Sequence, residues 1–85
     1  MGYIKDNMTG GTQSEKRRLR ALLRKLRKDA GLRQADLAQR LGKHQSYVSK
    51  YESGEKTLDF LEVKAVGEAL GISLYEFSKK LEGIK

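Results

Sequence analysis

The chain has 85 residues, no cysteine, no proline and a formal net charge of +7. That length is one small domain with a modest core, and the missing cysteines exclude a disulfide framework or a thiolate metal site. No apolar run approaches the ~18 residues of a membrane span, residues 1–15 lack the apolar stretch of a secretory signal, and Asp6 stands where N-myristoylation wants Ser or Thr.

The absence of proline fits a chain that is mostly helix, and the absence of cysteine fits a reducing, cytoplasmic setting. The charge is uneven. Residues 16–56 hold thirteen basic and four acidic side chains, whereas the two flanks are each slightly acidic. A basic middle between near-neutral flanks is the footprint of a face that meets a polyanion.

Residues 1–13, MGYIKDNMTGGTQ, have no period and carry three Gly. They read as a mobile tail ahead of a domain over residues 14–85. Two alternatives stay open: Tyr3 and Ile4 docked on the domain, or a start at Met8.

The first predicted helix runs from about Ser14 to Ala30. Leu19, Leu22, Leu23, Leu26 and Ala30 recur at helical spacing and form one apolar stripe. Its other faces are almost wholly basic, with Arg24 a candidate phosphate contact. Gly31 is the expected stop.

A second predicted helix spans about Arg33 to Leu41, with Ala35, Leu37, Ala38 and Leu41 inward. Gln34 lies in its first turn, where free backbone N–H groups suit a phosphate oxygen. Gly42-Lys43-His44 is a tight turn, and a third helix covers Gln45 to Ser53. Two helices joined by a 3–4-residue turn with Gly form the helix-turn-helix signature.

In the third helix Val48 and Tyr51 face inward, with Tyr47 beside them. Gln45, Ser46, Ser49 and Lys50 are left outward. Amides, hydroxyls and an ammonium suit groove edges: Gln pairs with adenine, Ser with several bases, Lys with guanine O6/N7.

Ser53-Gly54-Glu55-Lys56-Thr57 is the exit turn. Asp59 and Glu62 spell an Asp variant of the capping box for a fourth helix, with Phe60, Val63, Val66, Gly67 and Leu70 inward. Gly71 stops it. Ser73 and Glu76 cap a fifth helix whose stripe is Leu74, Phe77, Leu81 and Ile84. The fold class expected is all-α, a compact five-helix domain.

Residues 23–72, LRKLRKDAGLRQADLAQRLGKHQSYVSKYESGEKTLDFLEVKAVGEALGI, combine R-x-x-x-G-L-x-Q, A-x-L-A-x-x-L-G, Q-S-Y-V-S-K-Y-E-x-G and a final A-L-G-I in register. The string resembles the lambda-repressor-like (Cro/CI, Xre) helix-turn-helix DNA-binding domain. The resemblance implies that Gln34 contacts phosphate. It implies that Gln45 works at base edges and braces against Gln34. Ser46, Ser49 and Lys50 match positions that read bases or adjoining phosphates, and Ser53 and Lys56 lie where the family's loop meets phosphate. Arg27 and Glu52 match an ion pair between the first and third helices. Arg33 and Lys43 are taken as further phosphate contacts.

The sequence departs from that pattern at three places. His44 stands where the family caps the reading helix with Ser or Thr, which weakens the cap; turn filler and phosphate contact both stay open for it. Glu55 lies in a loop the family often makes basic. Gly67 replaces a common Ala, at a propensity cost of up to ~1 kcal/mol.

The function expected is a sequence-specific transcriptional regulator that binds double-stranded DNA as a homodimer through the domain itself. Leu58, Leu61, Tyr75, Phe77 and Leu81 are the candidate dimer residues, with plain core equally open for Phe77 and Leu81. The alternative is the same fold as a protein-interaction module, such as an antitoxin with a toxin partner. An enzyme is not expected, since the one His has no nucleophile, metal partner or carboxylate pair at useful spacing. No cofactor and no metal are expected.

Overall fold

Thr12 sets where the first helix begins. Its hydroxyl accepts the Glu15 backbone N–H at 3.0 Å, and the Glu15 carboxylate accepts the Thr12 N–H at 3.0 Å. This is a capping box, and it starts the helix one residue before the expected Ser14. The computed structural model describes residues 12–83. The sequence readings placed on Tyr3, Ile4, Met8 and Ile84 lie outside them.

Five helices follow in order: α1 Gln13–Asp29, α2 Gln34–Leu41, α3 Gln45–Ser53, α4 Phe60–Ala69 and α5 Leu74–Gly83. No strand occurs among the described residues, so the all-α reading stands. α2 and α3 pack on each other most extensively; α1 lies across α3 and α5, and α4 closes against α2 and α5.

One core holds these helices together. Leu22 and Leu23 of α1, Leu37 and Ala38 of α2, Val48 and Tyr51 of α3, Val63 and Val66 of α4, and Phe77 of α5 are all buried in it. Leu19, Leu26, Leu41 and Leu81 pack around its edge. Removing this apolar area from water, at roughly 25 cal/mol per Å², is what holds helices this short. α2 has eight residues and α3 nine, below the length at which an isolated helix persists in water.

The structure corrects four expectations. Leu58, read as a surface dimer residue, is buried. It lies in the extended segment ahead of α4, where the helical period does not apply, and folds under the domain. Phe60, read as inward, is 65% exposed; it stands at the margin of the α4 stripe, on the helix's first residue. Phe77, a second dimer candidate, is in the core, because α5 lays its Phe77–Leu81 stripe inward; Leu81 is likewise half-buried against that core. Ala35, read as part of the α2 packing face, is exposed; Ala38 carries that face alone with the leucines.

Candidate nucleic-acid interface

The α2–turn–α3 unit is closed by Gly42. Its φ of 68° is in the left-handed region, where a Cβ would meet the following carbonyl oxygen and Gly is the low-cost residue. The reversed chain lets the Lys43 N–H reach back to the Ala38 carbonyl at 2.9 Å, a Schellman closure that satisfies an orphan carbonyl of α2. Two residues later α3 begins.

His44 is the N-cap of α3. Its Nδ1 accepts the Ser46 backbone N–H at 3.1 Å and lies 3.1 Å from the Ser46 hydroxyl. The imidazole therefore does the work that Ser or Thr does elsewhere, and the expected weakening of the cap is not what the geometry shows. Accepting that N–H requires Nδ1 to be unprotonated.

The first turns of α2 and α3 are joined by a relay of side chains. Arg27 Nε and Nη2 donate to Glu52 at 2.7 and 3.0 Å, and Arg27 Nη1 donates to the Leu32 carbonyl at 2.8 Å. Both side chains of the pair are under a tenth exposed. Hydrogen bonding to Glu52 raises the Arg27 pKa further above its ordinary value, against the opposing effect of burial. Glu52 Oε1 also accepts the Gln34 amide N–H at 3.0 Å, and Gln34 Oε1 accepts the Gln45 amide N–H at 2.8 Å.

That relay has a direction. An ionised carboxylate only accepts, so Glu52 turns the nitrogen of Gln34 toward itself. Gln34 must then present its oxygen to Gln45, and Gln45 must answer with its nitrogen. Gln45 is exposed, and among the described residues its Oε1 and second N–H have no hydrogen-bond partner. That is one acceptor and one donor on a fixed amide, at the start of a helix held by its cap.

Along α3, Ser46 and Ser49 are half-buried and Lys50 is exposed. Together with Gln45 they form the outward face that the sequence reading assigned to bases. The structure brings these four to one helix face, with Val48 and Tyr51 on the opposite, buried face.

The residues assigned to phosphate are more dispersed. Gln34 is engaged in the relay. Arg33 caps the approach to α2, and its guanidinium donates to Asp36 at 3.0 and 2.9 Å. The Asp36 carboxylate also accepts the Arg33 backbone N–H at 2.9 Å. The Arg33 guanidinium first, and that N–H second, hold the Asp36 carboxyl down at about 2. The Ser53 hydroxyl is used inside the exit turn, donating to the Lys50 carbonyl at 3.0 Å. Lys56 Nζ is 3.3 Å from Glu62. Arg24 and Lys43 are exposed, and Lys43 Nζ lies 5.3 Å from the Tyr47 ring centroid.

Sequence reasoning missed the part Tyr47 plays. Its ring stands edge-on to Tyr51 at 5.9 Å, between Lys43 and Lys56, whose Nζ is 5.6 Å from the ring centroid. Its hydroxyl donates to Glu62 at 3.0 Å. Burial, and then this bond to a carboxylate, push the Tyr47 hydroxyl up to about 12. Glu62 is held below its ordinary value mainly by the Asp59 N–H it accepts, with Tyr47 and Lys56 adding to the effect. The capping pair Asp59–Glu62 was legible; that Glu62 also fixes α3 to α4 through Tyr47 was not, because no local pattern links positions so far apart. Arg40, which donates to the Ala69 carbonyl at 3.0 Å, is a second such tie.

A helix-turn-helix family model matches residues 23–77, well over half of the chain. No curated protein gives a significant match. Among solved structures, the chain is similar to an XRE-family like protein from Pseudomonas syringae pv. tomato str. DC3000, at 38% identity over 85% of this chain and 88% of that one, with a TM-score of 0.78. It is also similar to the clp gene regulator ClgR from C. glutamicum, at 29% identity over 81% of this chain and 88% of that one, with a TM-score of 0.71. With the α2–turn–α3 geometry, these matches identify the chain as a member of the lambda-repressor-like, Xre-type helix-turn-helix family of DNA-binding domains.

Proposed function

We propose that this protein is a transcriptional regulator that reads duplex DNA sequence with α3 and acts as a homodimer on two half-sites. The observation that carries the reading is the fixed amide of Gln45. Adenine presents an acceptor (N7) and a donor (N6–H₂) in the major groove. Gln45 offers one N–H and Oε1 in an orientation set by Gln34 and Glu52, which matches that pair without an ordering cost at binding. Ser46, Ser49 and Lys50 read the neighbouring base edges. Gln34, Lys43 and Arg24 contact phosphate, and His44 serves as the cap. Arg33, Ser53 and Lys56 reach phosphate by giving up the contacts they hold within the domain.

One reading helix covers only a few base pairs, so two half-sites about one helical turn apart supply usable specificity. The residues assigned to the dimer surface are Leu61 and Tyr75, 70% and 72% exposed, with Phe60 exposed as well. These are the large apolar side chains that the core leaves in water.

Selection of duplexes from a random pool tests the reading, followed by sedimentation with the selected duplex. A converged two-half-site sequence bound by two copies is expected, with Tyr75→Asp reducing the complex to one copy. A pool that fails to converge would overturn sequence reading, and one copy on a single half-site would overturn the homodimer.

A further inference from the structure

α1 is nearly twice as long as α3, 17 residues against nine, and the core uses only one of its faces. Arg17, Arg20, Arg24 and Lys28 recur along a second face. They line one shallow open trough, which Ala21, Lys25, Asp29 and, from α3, Glu52 complete. Lys25 is held by Asp29 at 2.8 Å and Glu52 by Arg27 at 2.7 Å. Arg17, Arg20, Arg24 and Lys28 have no ion pair among the described residues.

Like charges three and four residues apart on a helix repel one another. The isolated domain therefore carries this row at a cost that a polyanion would relieve. The row also lies close to the reading unit at two points along α1. At one, the Arg20 guanidinium lies over the α3 exit turn, where a Cβ built on Gly54 would stand 2.9 Å from its central carbon. At the other, α1 runs into Gly31–Leu32, and Arg27 holds the Leu32 carbonyl just ahead of the first turn of α2.

We infer that the α1 trough is a second DNA-backbone contact, which receives phosphates of the duplex flanking the base pairs that α3 reads. The inference rests on the proposed reading of duplex DNA by α3. Arg17, Arg20, Arg24 and Lys28 add affinity there without adding sequence preference, because phosphates carry no base identity. The footprint of one domain thus extends past the groove segment occupied by its reading helix.

The test is the salt dependence of binding to the pool-selected duplex and to a scrambled one. The proteins compared are wild type, the triple variant Arg17→Gln/Arg24→Gln/Lys28→Gln, and a control of equal charge loss, Lys64→Gln/Lys79→Gln/Lys80→Gln. Each phosphate contact contributes ~0.9 to the slope of log affinity against log salt. The trough variant is expected to lose about 2–3 units of slope on both duplexes and keep the wild-type ratio between them, while the control keeps the wild-type slope. Arg17→Lys/Arg24→Lys is expected to keep it too. Should the triple variant fail to fold by circular dichroism, Arg17→Gln alone is expected to lose about one unit. A wild-type slope in the trough variant, or an equal loss in the control, overturns the inference and the phosphate role of Arg24, and leaves base reading by α3 intact. A slope loss with no preference between duplexes in wild type supports the trough and overturns the α3 reading. No duplex binding at all overturns both.

Discussion

Arg27 and Glu52 form a two-bond ion pair at 2.7 and 3.0 Å that ties α1 to α3 from inside the domain. Neither side chain is more than a tenth exposed, and each has the other as its charged partner beside one neutral hydrogen bond, to Leu32 for Arg27 and from Gln34 for Glu52. Removing one partner of a buried pair costs about 3–5 kcal/mol, whereas replacing both with apolar groups is often close to neutral. Glu52→Ala is therefore expected to lower the unfolding free energy by about 3–5 kcal/mol in chemical denaturation. Arg27→Met/Glu52→Leu is expected to recover most of that loss. The double variant still lacks the Glu52 acceptor for Gln34, so it is expected to fold and yet lose preference at the base that Gln45 reads. A Glu52→Ala cost below about 1 kcal/mol, the range of an exposed pair, would show that the pair is not buried in solution.

Tyr51 is the largest fully buried side chain, and its hydroxyl has no hydrogen-bond partner among the described residues. Burial raises its ionisation well above the ordinary phenol range. A buried hydroxyl without a partner carries a desolvation penalty of ~1–3 kcal/mol. Tyr51→Phe keeps the ring and its edge-on contact with Tyr47, so it is expected to be neutral or to stabilise the domain by up to ~1–2 kcal/mol in thermal and chemical unfolding. A loss above about 1 kcal/mol, the net worth of an ordinary hydrogen bond, would mean that the hydroxyl is bonded in solution.

Tyr47 makes stability sensitive to alkaline pH. A phenol ionises near 10 in an unfolded chain, and burial with the bond to Glu62 moves Tyr47 up to about 12. A group whose folded pKa is raised contributes stability that is complete below the unfolded value and lost as pH rises through the folded one. Stability is thus expected to hold to about pH 10 and to fall as pH climbs through about 12. Phenolate absorbance and circular dichroism in one titration check this. Glu62→Gln is expected to bring the Tyr47 transition down while leaving it above an unfolded tyrosine, because burial persists. An unchanged transition in that variant would remove Glu62 as a cause.

Most of the architecture was legible because it is local. The leucines of α1, the pair Leu37 and Ala38, the pair Val48 and Tyr51, and the capping pair Asp59–Glu62 are all set by helical spacing or by a three-residue offset. Two of the errors fell where spacing has little authority. Leu58 precedes its helix, so its burial depends on how an extended segment folds back. Phe60 sits at the margin of a stripe, where a small rotation decides the face. Thr12–Glu15 is a clear capping box that the glycines just before it obscured. At the interface, residue types and spacing named the outward face of α3. The Gln34–Glu52 bond, the Tyr47–Glu62 bond and the seat of Arg20 over Gly54 join positions far apart in sequence, and only the packed structure brings them together. His44 shows the reverse case, an atypical residue whose ring nitrogen does the job of the usual hydroxyl.

The central claim is that the exposed face of α3 reads bases while the cations beside it hold the backbone. Measuring the affinity of Lys50→Ala and Arg24→Ala for the selected duplex and for its single-base variants tests this most directly. Lys50→Ala is expected to lose about 1–3 kcal/mol on the selected duplex and to relax preference at one position. Arg24→Ala is expected to weaken binding to all the duplexes alike and to lower the salt slope by about one unit. If both variants weakened every duplex by the same factor, with preference intact at every position, the assignment of α3 as the reading face would be contradicted.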